Sequence, residues 1–224
     1  MPHWGQGTWF YRYISPPLRE VLDAGPEVDK LLRRPRLISA CVMFTDIRGF
    51  TALSRSIDPN RLVDTLNLHM AQQARALEQF GGYIENFKGD GLMAVFEGEA
   101  MEARACQCAL DILDGARQPP GNGSPVPLGI GLHAGEVVRA SIGGESWRVY
   151  GSFGSMVNTA ARLCDYARGP AILASGPVRA AATPDARLAF RPFAGPRPRD
   201  VDASLEIFEL DRAQWADART GSVG

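Results

Sequence analysis

Leu37-Ile38-Ser39-Ala40-Cys41-Val42-Met43-Phe44 is an almost unbroken apolar run that stops at Thr45-Asp46. A run this short, closed by a turn-forming residue, reads as a buried strand. Downstream the period changes. Residues 61–80 carry Leu62, Leu66, Met70, Ala74 and Leu77 along one helical face, and Gly81-Gly82 stops them. Residues 83–87 and 92–96 then read as two short strands joined by Lys88-Gly89-Asp90-Gly91, a hairpin signature. Residues 99–117 form a second helix with Ala103, Cys106, Leu110 and Leu113 inward, and residues 118–125 form a Pro/Gly loop.

Residues 128–138 predict a long glycine-spaced strand, followed by Gly143-Gly144. Residues 157–166 predict a helix, and residues 171–174 and 205–210 two later strands. The order strand, helix, hairpin, helix, strand is that of a ferredoxin-like split βαβ core. The expected class is α+β, with helices packed on one face of a mainly antiparallel sheet. Ahead of this core, Trp4, Trp9, Phe10, Tyr11 and Tyr13 precede Ser15-Pro16-Pro17, and residues 18–32 suit a short helix broken near Gly25-Pro26. Three segments follow: residues 1–36 as an N-terminal segment, 37–212 as the main domain, and 213–224 as a tail.

The 224 residues are 45% hydrophobic and 22% charged, which implies a packed core rather than disorder. With 24 basic and 25 acidic residues the net charge is −1, without the basic footprint of a nucleic-acid or membrane-surface binder. Cys41, Cys106, Cys108 and Cys164 complete no zinc spacing and suit a reduced, cytoplasmic setting. No apolar run approaches the ~20 residues of a membrane span, and no signal pattern opens the chain.

Asp46 follows the buried strand and Asp90 sits in the hairpin turn. In a split βαβ order these two carboxylates can reach one sheet edge, where they repel unless a cation lies between them. Magnesium or manganese, which take oxygen ligands and bridge phosphates, would resolve the conflict. Two unrelated turn aspartates would look the same at this level.

The surrounding residues say more. Phe44-Thr45-Asp46-Ile47-Arg48-Gly49-Phe50-Thr51 resembles the first metal motif of the class III adenylate and guanylate cyclases, and Phe87-Lys88-Gly89-Asp90-Gly91-Leu92-Met93-Ala94-Val95-Phe96 the second. Residues 129–137 look like that family's central strand. Gly154-Ser155-Met156-Val157-Asn158-Thr159-Ala160-Ala161-Arg162-Leu163 looks like its transition-state helix. The resemblance implies a nucleotide cyclase that makes 3′,5′-cyclic AMP and pyrophosphate from ATP, with two divalent ions (Mg or Mn) per site. Asp46, Asp90 and the Ile47 carbonyl would hold the ions. Phe50 and Thr51 open a helix whose amides suit phosphate, and Arg199 aligns with a triphosphate-binding lysine. Asn158 would orient the ribose, and Arg162 would stabilise charge on the transferred phosphate. The implied assembly is a head-to-tail homodimer, with the aspartates of one subunit facing the asparagine and arginine of the other.

Departures concern the base. The adenine-reading lysine and aspartate positions hold Asn86 and Gly151, and the glutamate–cysteine pattern of guanylate cyclases is also absent. Asn86 suits either purine edge, and Lys88 shares its strand face if the strand extends that far. GTP or relaxed purine use is therefore one alternative, and a catalytically weak pseudocyclase with a binding or regulatory role is another. A diguanylate cyclase is opposed by the missing Gly-Gly-Asp/Glu-Glu-Phe turn. The relatives' arginine near Ser146 has Arg148 as its nearest counterpart. His133 reads as a satisfied or surface histidine. Residues 10–16 look like the segment that couples an upstream sensor or regulatory partner to the domain, or a dimer handle.

Overall fold

A computed structural model describes residues 14–119 and 124–212, apart from the side chains of Asp29 and Arg33. The aromatic N-terminal cluster up to Tyr13 and the tail from residue 213 lie outside the described residues. Helix α1 (Pro16–Asp23) and α2 (Val28–Arg33) flank a 3-10 turn at Gly25–Glu27, matching the break expected there. Strand β1 spans Arg36–Ile47, longer than the sequence predicts, so Asp46 lies inside the strand end rather than beyond it. Helix α3 (Phe50–Ser56) and α4 (Pro59–Gln79) follow. Asp58 caps α4 by accepting from the Asn60 and Arg61 amides, and Pro59 supplies the preset first turn.

The hairpin is β2 (Gly82–Lys88) and β3 (Gly91–Phe96), after which come α5 (Met101–Arg117) and β4 (Leu128–Gly143). The chain continues through β5 (Arg148–Phe153), α6 (Ser155–Tyr166), β6 (Ala171–Ser175), α7 (Gly176–Ala182), β7 (Leu188–Pro192) and β8 (Ile207–Arg212). The strands order as β2-β3-β1-β4-β6-β8-β7, with β5 paired to β4, and among the described residues only β4 and β6 pair in parallel. The α+β class and mainly antiparallel sheet are as expected.

The placement of helices is not. Cys41, Met43, Ile130 and Leu132 pack with residues of α4, α5 and α7 on one face. Ala40, Val42 and Phe44 pack with Met156, Ala160 and Cys164 of α6 on the other. The sheet is thus covered on both faces where β1 and β4 cross it, which is why the run from Ile38 to Phe44 does not alternate. Helix α6 lies very close: a Cβ at Gly131 would fall 2.2 Å from the Cys164 nitrogen and 2.4 Å from the Ala160 oxygen. Among the described residues no helix is long and apolar enough to cross a membrane.

Candidate active site

Pairing of β1 with β3 sets Thr45 opposite Leu92, which brings the β2–β3 turn to the end of β1. Buried Thr45 fixes this corner. Its hydroxyl donates to Gln73 Oε1 of α4 at 2.8 Å and accepts from the Leu92 amide at 3.3 Å. The next residue, Asp46, stands at the strand end, and Asp90 Oδ2 accepts from the Ile47 amide at 3.1 Å. Asp46 at the end of β1 and Asp90 in the β2–β3 turn thus lie near enough for the Asp90 charge to act on Asp46, and of the two Asp46 lines the cleft described below. Burial and the neighbouring Asp90 charge raise the pKa of Asp46, with Arg48 opposing them. Arg48 Nη1 donates to Asp46 Oδ2 at 2.8 Å.

These donors fit a hard divalent cation. Two crowded carboxylates offer oxygen ligands at a strand end, and their mutual repulsion is what such an ion relieves. Among the described residues no cluster of three or more His, Cys, Asp or Glu forms a protein-only metal cage.

A cleft of about 1050 Å³ is lined by Asp46, Lys88, His133, Asn158, Arg162 and Asp200, among others. Lys88 ends β2 and its ammonium stands 4.8 Å from the centre of the Phe44 ring. Asn158 and Arg162 are both exposed on α6. Arg162 pairs with Asp165 at 3.3 Å and with Asp200 at 3.7 Å. Both are solvent-exposed contacts that a stronger anion would displace at small cost. His133 Nδ1 lies 2.8 Å from the Ser175 hydroxyl, and burial lowers its pKa to about 4, so it is a satisfied neutral histidine.

Other predicted positions lie apart from that lining. Phe50 opens α3 but packs against the main core, and Thr51 beside it is exposed. Arg199 is exposed, and its main-chain amide donates to the Tyr166 hydroxyl at 3.3 Å. Its neighbour Asp200, at φ +60°, is the residue that enters the cleft.

At the base positions, a bulge in β2 changes the register between Ile84 and Asn86. It sets Asn86 opposite Met93, a residue of the α6-side core, and β2 reaches Lys88, so the two share that face as the sequence suggests. The bulged residue, Glu85, was not singled out by sequence. Its carboxylate accepts from the Ser152 amide and hydroxyl, each at 2.8 Å. Burial raises its pKa, with the Ser152 hydrogen bonds and Arg139 opposing. Gly151 makes room for it, since a Cβ there would stand 3.3 Å from Glu85 Oε2.

A second unforeseen group is Arg139, almost fully buried on β4. It holds Glu97 through two nitrogens at 2.9 and 3.1 Å and also donates to the Tyr83 hydroxyl. Burial alone would raise the Glu97 pKa, but the hydrogen bonds from Arg139 and Tyr83 bring it below the ordinary value. These ties join β5 and β4 to the hairpin across intervening strands. All four cysteines are free and buried, with thiol pKa values pushed up by burial.

Comparison with known proteins bears on this arrangement. Residues 33–190 match the family model described as the adenylate and guanylate cyclase catalytic domain. The chain is 30% identical over 183 residues to adenylate cyclase 1 of Rhizobium meliloti, covering 75% of this chain and 27% of that protein. It is 33% identical over 130 residues to an adenylate cyclase of Anabaena cylindrica, covering 54% and 26%. It thus spans about a quarter of the length of both relatives. The crystal structure of the guanylyl cyclase Cya2 superposes with a TM-score of 0.68 at 26% identity, over 83% of this chain and 97% of that one.

Proposed function

The chain belongs to the adenylate and guanylate cyclase catalytic-domain family, and from that premise we propose that it converts ATP to 3′,5′-cyclic AMP and pyrophosphate at sites shared across a homodimer. The observation that carries the cyclase reading is one cleft of the chain lined by Asp46, Lys88, Asn158 and Arg162, while the sharing of sites between subunits rests on the exposed apolar surface named below. In the reaction the ribose 3′-oxygen bonds to the α-phosphorus and its proton leaves. The bond from that phosphorus to the α–β bridging oxygen breaks, and pyrophosphate departs with the electron pair.

Asp46 and Asp90, helped by the Ile47 carbonyl, would hold two magnesium or manganese ions. Bound there, such ions lower the pKa of the 3′-hydroxyl and neutralise phosphate oxygens. Arg162 meets charge growing on the α-phosphate with a planar fork of donors. Asn158, one turn earlier on the same helix face, orients the ribose. Phe50, Thr51 and Arg199 are assigned to the triphosphate.

Asn86 can present its amide either way round to a purine, and Gly151 offers no side chain. ATP is therefore used with weak discrimination against GTP. The two relatives named adenylate cyclase support adenine. Support for the homodimer comes from exposed apolar residues at Leu37, Ile142 and Trp147, which are 62%, 52% and 72% exposed on or beside the β4–β5 hairpin. Such surface marks an association site, and closed twofold dimers are the commonest assembly.

Incubation of the pure protein with manganese and each of the four ribonucleoside triphosphates, with the product identified by mass, tests the reading. Cyclic AMP is the expected main product. Binding of a nucleotide without any cyclic product would instead establish the pseudocyclase alternative, which Gly151 favours.

A further inference from the structure

Arg48 lies between the two halves of the site. Besides Asp46, its side chain reaches the C-terminal turn of α6, where Nε donates to the Ala167 carbonyl at 3.1 Å and Nη2 to the Cys164 carbonyl. Cys164 Sγ lies 3.5 Å from the same nitrogen. The carbonyls that end a helix carry the negative end of its dipole, and that of Cys164 accepts only an amide, from Ala167, that is shared with Leu163, so a guanidinium is suited to them. Space for it is reserved at Gly129, where a Cβ would fall 2.0 Å from Nη2 and 2.4 Å from Nε. One cation thus serves both a carboxylate on β1 and the end of the helix that carries Asn158 and Arg162.

We propose that Arg48 is a positioning residue that holds Asp46 against the last turn of α6 until a divalent cation claims the carboxylate, so that cation uptake is transmitted to α6. The inference rests on Asp46 being a cation ligand, as read above. A divalent ion and a guanidinium repel each other and compete for the same carboxylate. As the ion draws Asp46 away from Arg48, the helix end loses part of its cap. In a dimer with shared sites, the helix so affected serves the opposite site. A purely structural clamp would be indifferent to the cation.

The test uses the intact protein, free manganese measured by electron paramagnetic resonance, and hydrogen exchange at the amides of residues 163–167. In the wild type, saturating manganese should speed exchange at these amides at least threefold. In Arg48→Ala they should exchange fast from the start with no further response. Manganese should also bind at least threefold more tightly to that variant, its competitor being gone. Arg48→Lys keeps a charge near Asp46 but lacks the planar fork that spans both carbonyls, and should fall between. It serves in place of the alanine variant if circular dichroism shows that one unfolded. An α6 end that ignores manganese in the wild type overturns the proposal, as does weaker manganese binding in the folded variant. Manganese binding as tight in Asp46→Ala as in the wild type overturns the ligand assignment itself, a failure distinct from absence of cyclase activity.

Discussion

At Asp46, burial and the nearby Asp90 charge favour the protonated form while Arg48 favours the ionised one. A side chain held in this balance gains most from a divalent ion. Asp46→Ala or Asp90→Ala should therefore each lower cyclase turnover more than tenfold with the fold intact by circular dichroism. Tenfold is only ~1.4 kcal/mol of barrier, so either folded variant above a tenth of wild-type rate would remove that residue from the site. His133 makes a different prediction. Its folded pKa of about 4 lies below the unfolded value of 6.5, so the unfolded chain takes up the proton first on acidification. Stability from the neutral ring is complete above pH 6.5 and falls toward pH 4. Thermal unfolding over that window should show a shallower acid loss in His133→Gln than in the wild type. Gly151 is constrained by Glu85. Placing aspartate there to imitate an adenine-reading pair would set a second carboxylate beside a buried one. Gly151→Asp should cost about 1–3 kcal/mol in urea unfolding, and Glu85→Gln should recover part of it. Asn86→Lys alone is the cleaner means of raising the ATP-to-GTP ratio of kcat/KM.

At the level of elements, sequence periodicity located the first strand, both long helices and the hairpin, because each has a clear period and a glycine or proline boundary. It missed β5, whose Arg148-Val149-Tyr150-Gly151-Ser152-Phe153 has alternation broken by glycine. It also missed β7, a short edge strand ending in Pro192, and α7, whose opening Gly176-Pro177 reads as a turn. Helices on both faces were missed although the unbroken run before Asp46 is a mark of two-sided burial. The motif residues gave Asp46, Asp90, Asn158 and Arg162, which local sequence can carry. Arg48, Glu85 and Arg139 act through partners far along the chain, at the end of α6, on β5 and in or beside the β2–β3 hairpin respectively, and no local pattern reports those contacts. The closeness of α6 to β4 supplies a test at this scale. Gly131→Ala puts a methyl against backbone atoms of α6 that cannot rotate away. It should cost at least about 1–3 kcal/mol in denaturant unfolding and lower turnover by displacing Asn158 and Arg162. Unchanged stability would mean that α6 packs less tightly than described.

For the whole molecule, the decisive matter is whether a site is made by one chain or two. Asp46 and Arg162 line the same cleft of a single chain, so geometry within one subunit does not by itself demand a partner. The exposed Leu37, Ile142 and Trp147 do call for cover, and a twofold partner on the β4–β5 side would supply it. Complementation separates the two arrangements. Asp46→Ala and Arg162→Ala homodimers should each be nearly inactive, because every site in them lacks one essential half. In a mixed dimer, one site joins the intact Asp46 of the arginine variant to the intact Arg162 of the aspartate variant. The other site carries both lesions. Mixing the two proteins under conditions of subunit exchange should therefore restore up to half of the wild-type activity per mixed dimer, since one of two sites is whole. If exchange is demonstrated by differently tagged subunits and activity stays at the level of the parents, each site is built within a single chain, and the shared-interface arrangement fails.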